Sequence, residues 1–231
     1  MLVSGKNVAK EILKNPKSVK KIYLWDNFND KDVICAIQKH KLAVENVDKR
    51  RLDQLANENH QGIIIDIRDY EYCQVDDMIK ENGLIVMLDH LEDPHNFGAI
   101  LRTCEAAGVD GIIIPKDRSV DITGTVMKTS AGALENVKIA KVANLCSTIE
   151  YLKKKDYWIV SSDMDGTDFS KCDYNMSTCL VIGSEGLGIS RLVKEKSDFV
   201  VSIPMAGKIN SLNASVAAGI LIYEVIKQRS N

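Results

Sequence analysis

Apolar positions along the chain recur with two periods. In the first 70 residues, short runs that read as strands lie at Ile22 to Trp25, Leu42 to Val47 and Gly62 to Ile67. Helix patterns around Lys31 to Lys39 and Lys49 to Ala56 separate them, and Val8, Ala9, Ile12 and Leu13 form one face of a first helix. This is an α/β unit able to stand alone, and 1–70 is expected to be a domain. The stretch from Asp69 to Gly83 is polar and weakly periodic, so 71–83 reads as a linker.

The pattern restarts at Leu84 and predicts a second domain over 84–231. Strands are expected at Leu84 to Leu88, Gly111 to Ile114, Val137 to Val142, Tyr157 to Ser161, Cys179 to Ile182 and Phe199 to Ile203. Helices are expected near Phe97 to Ala107, Thr123 to Ala131, Leu145 to Lys154 and Ser190 to Glu195. A long last helix begins at Ser211-Leu212-Asn213, with Leu212, Val216, Ile220 and Tyr223 at helical spacing. Strands alternating with helices predict a mainly parallel sheet covered on both faces, with ligands at the carboxyl ends of its strands.

Charge changes this picture only mildly. The 231 residues carry 30 Lys+Arg against 32 Asp+Glu, a net of -2 that does not advertise nucleic-acid binding. Residues 1–70 hold 13 basic and 10 acidic side chains, hence +3, leaving -5 for the rest. The amino-terminal part is therefore the likelier one to meet a polyanion. Lys6, Lys10, Lys14 and Lys17 are spaced to line one helix face, either a solvated basic face or a surface for a phosphate backbone. His60, at the entry to a strand, fits a turn role and a ligand contact equally. The six cysteines (35, 73, 104, 146, 172 and 179) show no CxxC and no zinc spacing. With no signal peptide and no 18-residue apolar run, the chain reads as soluble and cytoplasmic.

Candidate chemistry gathers at strand ends. In Asp93-Pro94-His95-Asn96-Phe97-Gly98, Asn96 is placed to cap a helix, and Arg102 reads either as a solvent arginine or, pointing back along the same face, as a phosphate or ribose clamp. Gly183-Ser184-Glu185-Gly186-Leu187-Gly188 is neither the GxGxxG of a dinucleotide site nor the GxSxG of a nucleophile elbow, and Gly207-Lys208-Ile209 lacks the Ser or Thr of a P-loop. Asp163-Met164-Asp165-Gly166-Thr167 resembles the signature of haloacid-dehalogenase phosphatases. Only 64 residues follow Thr167, without a clear lysine-and-paired-aspartate set for Mg²⁺, and an Asp/Gly turn explains the spacing as well.

Three motifs in order carry a broader resemblance. They are Leu88-Asp89 through Asp93 to Arg102-Thr103, Ile182 to Ser190, and Ile203-Pro204-Met205-Ala206-Gly207 with Ser211-Leu212-Asn213-Ala214-Ser215. Together they resemble the SpoU/TrmH family of RNA ribose 2′-O-methyltransferases in the SPOUT superfamily, nearest to the bacterial enzymes that methylate guanosine ribose in 23S rRNA. Gly5-Lys6-Asn7-Val8, Glu11 and Asn59-His60-Gln61-Gly62 resemble the small substrate-binding domain related to ribosomal protein L30e. Departures are slight: Lys6 stands where Arg is common, and Ala214 where Val often is.

The resemblance implies an α/β fold with a trefoil-knotted carboxyl-terminal domain, a homodimer built on the knot, and an active site drawing on both subunits. It implies S-adenosylmethionine as cofactor, held by backbone around Ile182, Gly183, Ile203, Met205 and Leu212, and no metal. It ties Arg102 to activation of the attacking hydroxyl, with Asn96, Glu185, Ser211 and Asn213 orienting ribose and one another. Arginine, with a pKa above about 12, is a poor free base, so a clamping role suits it better and the base stays open. Two alternatives remain, the same chemistry on tRNA and a non-catalytic ribosome-associated RNA-binding protein.

Overall fold

Ile63–Ile67 shows how the first unit is built, because a strand sends successive side chains to opposite faces. Ile63, Ile65 and Ile67 join a core with Val3, Val8, Ala9, Ile12, Ile22, Val33 and Ile37, while Ile64 packs on the other face with Val47 and Leu52. The structure is a computed structural model that describes residues 1–56 and 59–230. The chain divides into two units, 1–71 with 122–132, and 72–121 with the remainder from 133.

In the first unit the sheet runs β1-β4-β2-β3, from β1 (Leu2–Ser4), β2 (Val19–Trp25), β3 (Val44–Val47) and β4 (Ile63–Ile67). β4 is antiparallel to β1 and β2, and β3 is parallel to β2. Helices α1 (Lys6–Ile12), α2 (Lys31–Lys39) and α3 (Lys49–Leu55) cover it. Two sequence expectations change here. α1 stops at Ile12, so Lys14 and Lys17 lie beyond it and the four lysines do not share a helix face. Pro16 disfavours helix at the residue before it and opens a short 3₁₀ turn instead. The helix expected at 123–131 also forms, over Gly124–Thr129, but it belongs to this unit, where Met127 packs on the core and Gly124 lies against Val3.

The second unit holds six parallel strands, β5 (Leu84–Asp89), β6 (Gly111–Pro115), β7 (Ile139–Val142), β8 (Trp158–Asp168), β9 (Thr178–Gly183) and β10 (Phe199–Ser202), in the order β10-β8-β9-β5-β6-β7. Every residue of β5 and β6 is buried, as expected for strands covered on both faces. Helices α4 (Pro94–Ala106), α6 (Leu145–Lys153), α7 (Arg191–Lys196) and α8 (Ala214–Arg229) belong to this unit, and α5 (Gly124–Thr129) is the helix of the first unit just described. α6 and α7 pack on one face through Ile149, Leu152 and Val193, while α8 packs against α4 and β9.

Chain order reverses between β5 and β9. After β5 the chain winds outward through β6 and β7, then returns to place β8 and β9 on the other side. The carboxyl ends of β5 and β9 therefore lie side by side, with Asp89 opposite Gly183. Such a switch point leaves a crevice above the strand ends, and the two motif-bearing turns start there. The segment read as an Asp/Gly turn, Asp163 to Thr167, instead belongs to β8. The β10 ladder skips from Ser161 to Thr167, and Gly166 passes so close to Val201 that an added Cβ would fall 2.4 Å from its carbonyl carbon.

Candidate active site

Two helix caps set the geometry. α4 is capped by Asp93, whose carboxylate accepts from the His95 N–H (3.0 Å) and the Asn96 N–H (3.4 Å), with Pro94 as first helical residue. Asn96 is thus not the cap expected from sequence. Asp93 takes that role because Pro94 needs no N–H partner, and the Asn96 carboxamide is free for longer-range bonds. Asn213, not Ser211, opens α8, its Oδ1 accepting from the Ser215 N–H at 2.9 Å.

The two caps meet at Glu185. Asn96 donates from Nδ2 to Glu185 Oε1 at 3.0 Å and accepts from Asn213 Nδ2 at 2.9 Å. Asn213 Nδ2 also donates to Glu185 Oε1, as does the Ala214 N–H at 3.3 Å. Two segments far apart in sequence thus converge on one carboxylate oxygen of a third, at the amino end of α8, where the helix dipole favours negative charge. Asn96 is buried and Glu185 is exposed, so the network has an inner anchor and an outward tip.

Glu185 sits in a turn that glycine permits. The Ser184 and Gly188 backbones bond in both directions (3.0 and 3.2 Å), Gly186 and Gly188 have φ of +89° and +65°, and a Cβ on Gly183 would fall 2.2 Å from the Gly188 carbonyl carbon. Buried Asp89 ties this turn to β5 by accepting the Ser190 N–H at 2.7 Å, and its other oxygen faces His90.

Beside the turn lies a cavity of about 380 Å³ lined by Ile182, Gly183, Ile203, Met205 and Leu212, together with Glu185 and Ser211. All five expected cofactor residues and two of the expected catalytic ones thus surround one space. Asn96 and Asn213 stand behind it through their bonds to Glu185. Arg102 does not join them. Six residues turn a helix by about 600°, which sets Arg102 roughly 120° around α4 from Asn96 rather than on the same face. It is exposed and lines none of the cavities described here.

The lysines fare unequally as RNA contacts. Lys10 pairs with Asp30 (3.2 Å) and Asp32 (3.0 Å), which raise its pKa, Asp32 foremost. Lys14 pairs with Glu11 at 2.7 Å, and Lys6 sits 5.2 Å from the Phe28 ring centre. Lys17 is exposed. His60 is structural: it is buried, Nδ1 accepts the Gly62 N–H at 3.0 Å, and Nε2 meets Asp53 at 2.9 Å. Sequence reasoning missed Ser162 and Met164 in the cavity wall, which only the register of β8 brings there. It weighed Asp163 as a phosphatase nucleophile or part of an Asp/Gly turn, whereas the structure pairs Asp163 and Asp165 with Lys194 at 3.0 and 3.3 Å.

The profile of the SpoU rRNA methylase family matches residues 83–223, and that of the RNA 2′-O ribose methyltransferase substrate-binding domain matches 2–73. The chain belongs to the SpoU rRNA methylase family, RNA ribose 2′-O-methyltransferases of the knotted SPOUT fold that use S-adenosylmethionine. It is 44% identical over 238 residues to YacO of Bacillus subtilis (strain 168), assigned to the TrmH family of tRNA/rRNA methyltransferases, covering 99% of this chain and 96% of the relative. The SpoU methyltransferase AviRb from Streptomyces viridochromogenes, solved with AdoMet, superposes with a TM-score of 0.82 at 24% identity over 100% of this chain and 91% of its own. A TrmH/SpoU tRNA modifying enzyme of A. aeolicus matches at 35% identity and a TM-score of 0.60, covering 65% of this chain and 77% of its own.

The cavity suits such a cofactor. Its volume is in the range of small-molecule sites, and Ile182, Ile203 and Leu212 give an apolar lining for a flat ring. Glu185 puts a carboxylate in the wall, favourable to a ligand with positive charge. Ser184 Oγ is buried with no partner among the described residues and is available to a ligand's polar group.

Proposed function

We propose that this chain methylates the ribose 2′-hydroxyl of a guanosine in 23S rRNA, in the cytoplasm, with its cofactor in the cavity beside the 184–188 turn. The observation that carries the reading is the convergence of Asn96, Asn213 and the Ala214 N–H on Glu185 at the edge of that cavity. S-adenosylmethionine supplies a methyl group on a cationic sulfur, ready for displacement without a metal. Ile182, Gly183, Ile203, Met205 and Leu212 hold it, and the closed glycine turn keeps their backbone in place. Glu185, fixed by its three donors, orients the ribose with Ser211, so that the attacking oxygen is held within about 3–3.5 Å and in line. The amino-terminal unit holds the RNA through Lys6, Lys10, Lys14 and Lys17, with Lys17, which has no ion pair among the described residues, foremost.

We assign the working form to a homodimer. Val216 and Tyr223 lie seven residues apart, hence on one face of α8, and are 50% and 51% exposed. α8 crosses α4 at Gly219, where an added Cβ would meet the Thr103 methyl at 4.0 Å, next to Arg102. Arg102 then serves the site of the second copy, clamping RNA phosphate and positioning the acceptor.

Total cellular RNA incubated with labelled S-adenosylmethionine and the purified protein tests the substrate. Nucleoside analysis and position mapping should find 2′-O-methylguanosine in 23S rRNA. Label confined to tRNA would move the substrate to that class, and no label with any RNA would reject turnover.

A further inference from the structure

A second cavity, of about 540 Å³, also borders the 184–188 turn. Ser184, Glu185, Leu187 and Gly188 line both spaces, so the two adjoin along one turn. Asn96 faces the second cavity, which connects it to the network on Glu185. A displacement reaction needs its two substrates in contact and in line, and an acceptor space that adjoins the cofactor cavity at the positioned carboxylate suits that arrangement.

The chemistry of the rim indicates what enters. Arg118 and Arg191 stand on it with His90. Arg191 is already paired with Glu195, one turn along α7, at 2.5 Å. Arg118 is exposed and has no hydrogen bond or ion pair among the described residues. Its backbone is held at φ +50°, and His90 at +56°, a region that side chains rarely adopt, so each is fixed by its loop. The carboxylates of the rim do not neutralise Arg118: Asp93 caps α4, Glu185 is held by its donors, and Glu92 is exposed with no ion pair among the described residues. An unpaired guanidinium beside a reacting centre is a ready fork for a phosphate.

We propose that this cavity is the acceptor-nucleotide subsite and that Arg118 binds the RNA phosphate next to the ribose to be methylated. The proposal rests on the methyl-transfer reading above and adds a residue that reading does not contain. Arg118 is a positioning residue: it holds the acceptor while the Glu185 network and the cofactor cavity do their own work.

The test compares wild type with Arg118→Gln and Arg118→Lys. RNA binding to a 23S rRNA transcript, with bulk tRNA in parallel, is measured across a salt series, cofactor binding by calorimetry, and single-turnover methyl transfer at varied RNA. Arg118→Gln should weaken RNA binding about tenfold, raise the RNA concentration for half-maximal transfer equally, and lower the salt slope by about 0.7–0.9. The maximal transfer rate should fall less than that, and cofactor affinity should stay within about twofold. Arg118→Lys should restore the salt slope, because it keeps the charge, but not the full affinity, because it loses the fork. An unchanged affinity and salt slope in Arg118→Gln would overturn the proposal while leaving the methyltransferase reading intact. Failure of wild type to bind cofactor or transfer methyl would strike that reading instead, and the salt-series arm would still decide Arg118. Should Arg118→Gln prove unfolded by its melting curve, Arg118→Lys with unaltered RNA affinity would equally reject the fork.

Discussion

Asn213 performs two tasks that a single substitution can separate. Its Oδ1 caps α8 through the Ser215 N–H, and its Nδ2 holds Glu185 and Asn96. Asn213→Ala removes both and should destabilise the protein by about 1 kcal/mol from the cap alone. Asn213→Ser keeps a capping oxygen but lacks the amide donor, so its melting temperature should stay close to wild type. Turnover should nevertheless fall about 100-fold, since Glu185 loses one of the groups that aim it. Thermal melts paired with single-turnover rates check this; normal turnover in Asn213→Ser would show that the network serves stability and not positioning. Asn96 differs, because it is buried: Asn96→Ala would leave Asn213 and Glu185 short of a partner and cost about 1–3 kcal/mol as well as activity.

At the scale of elements, the 183–188 turn shows why two glycines in one motif are not equivalent. A Cβ at Gly183 would strike the Gly188 backbone at 2.2 Å, and backbone cannot swing aside as a side chain can. Gly186 has open space around it and only its φ of +89° against a substitution. Gly183→Ala should therefore abolish cofactor binding, whereas Gly186→Ala should cost about 1–2 kcal/mol and keep it. Calorimetric titration of both variants decides, and cofactor binding retained by Gly183→Ala would mean that the turn does not shape the cavity. The strand ends and their turns were legible in the sequence because periodicity and glycine punctuation are local signals. Which of Asp93 and Asn96 caps α4 was not, because both are good caps and only Pro94 decides between them. The end of α1 was also hidden: the lysine spacing looked helical through Lys17, but Pro16 broke it. Nor does periodicity show that 122–132 packs with the first unit, since a short amphipathic helix does not name its partner.

The whole molecule decides where Arg102 acts. The motifs pointed to Asn96, Glu185 and Asn213, and the parallel sheet gathers them by setting the ends of β5 and β9 side by side. Their hydrogen bonds span up to 117 residues of sequence and could be anticipated only from the family resemblance. Arg102 is the exception, exposed on α4 and away from the cavity beneath its own Glu185 network. In a twofold-symmetric dimer an element outside one subunit's site can complete the other's. Arg102→Lys and Glu185→Gln, each prepared as a homodimer, should then both be nearly inactive, the first because lysine lacks the planar fork. Mixed one to one, unfolded and refolded together, they give half heterodimers, in which one site has both native groups only if Arg102 reaches across to the partner's Glu185. Activity should recover to about a quarter of wild type if Arg102 serves the partner copy, and should not recover if it serves its own. Size-exclusion chromatography with light scattering, run on the same mixture, establishes that dimers have formed. Dimers without recovery would return Arg102 to its own chain, and monomers with full activity would remove the second copy from the mechanism.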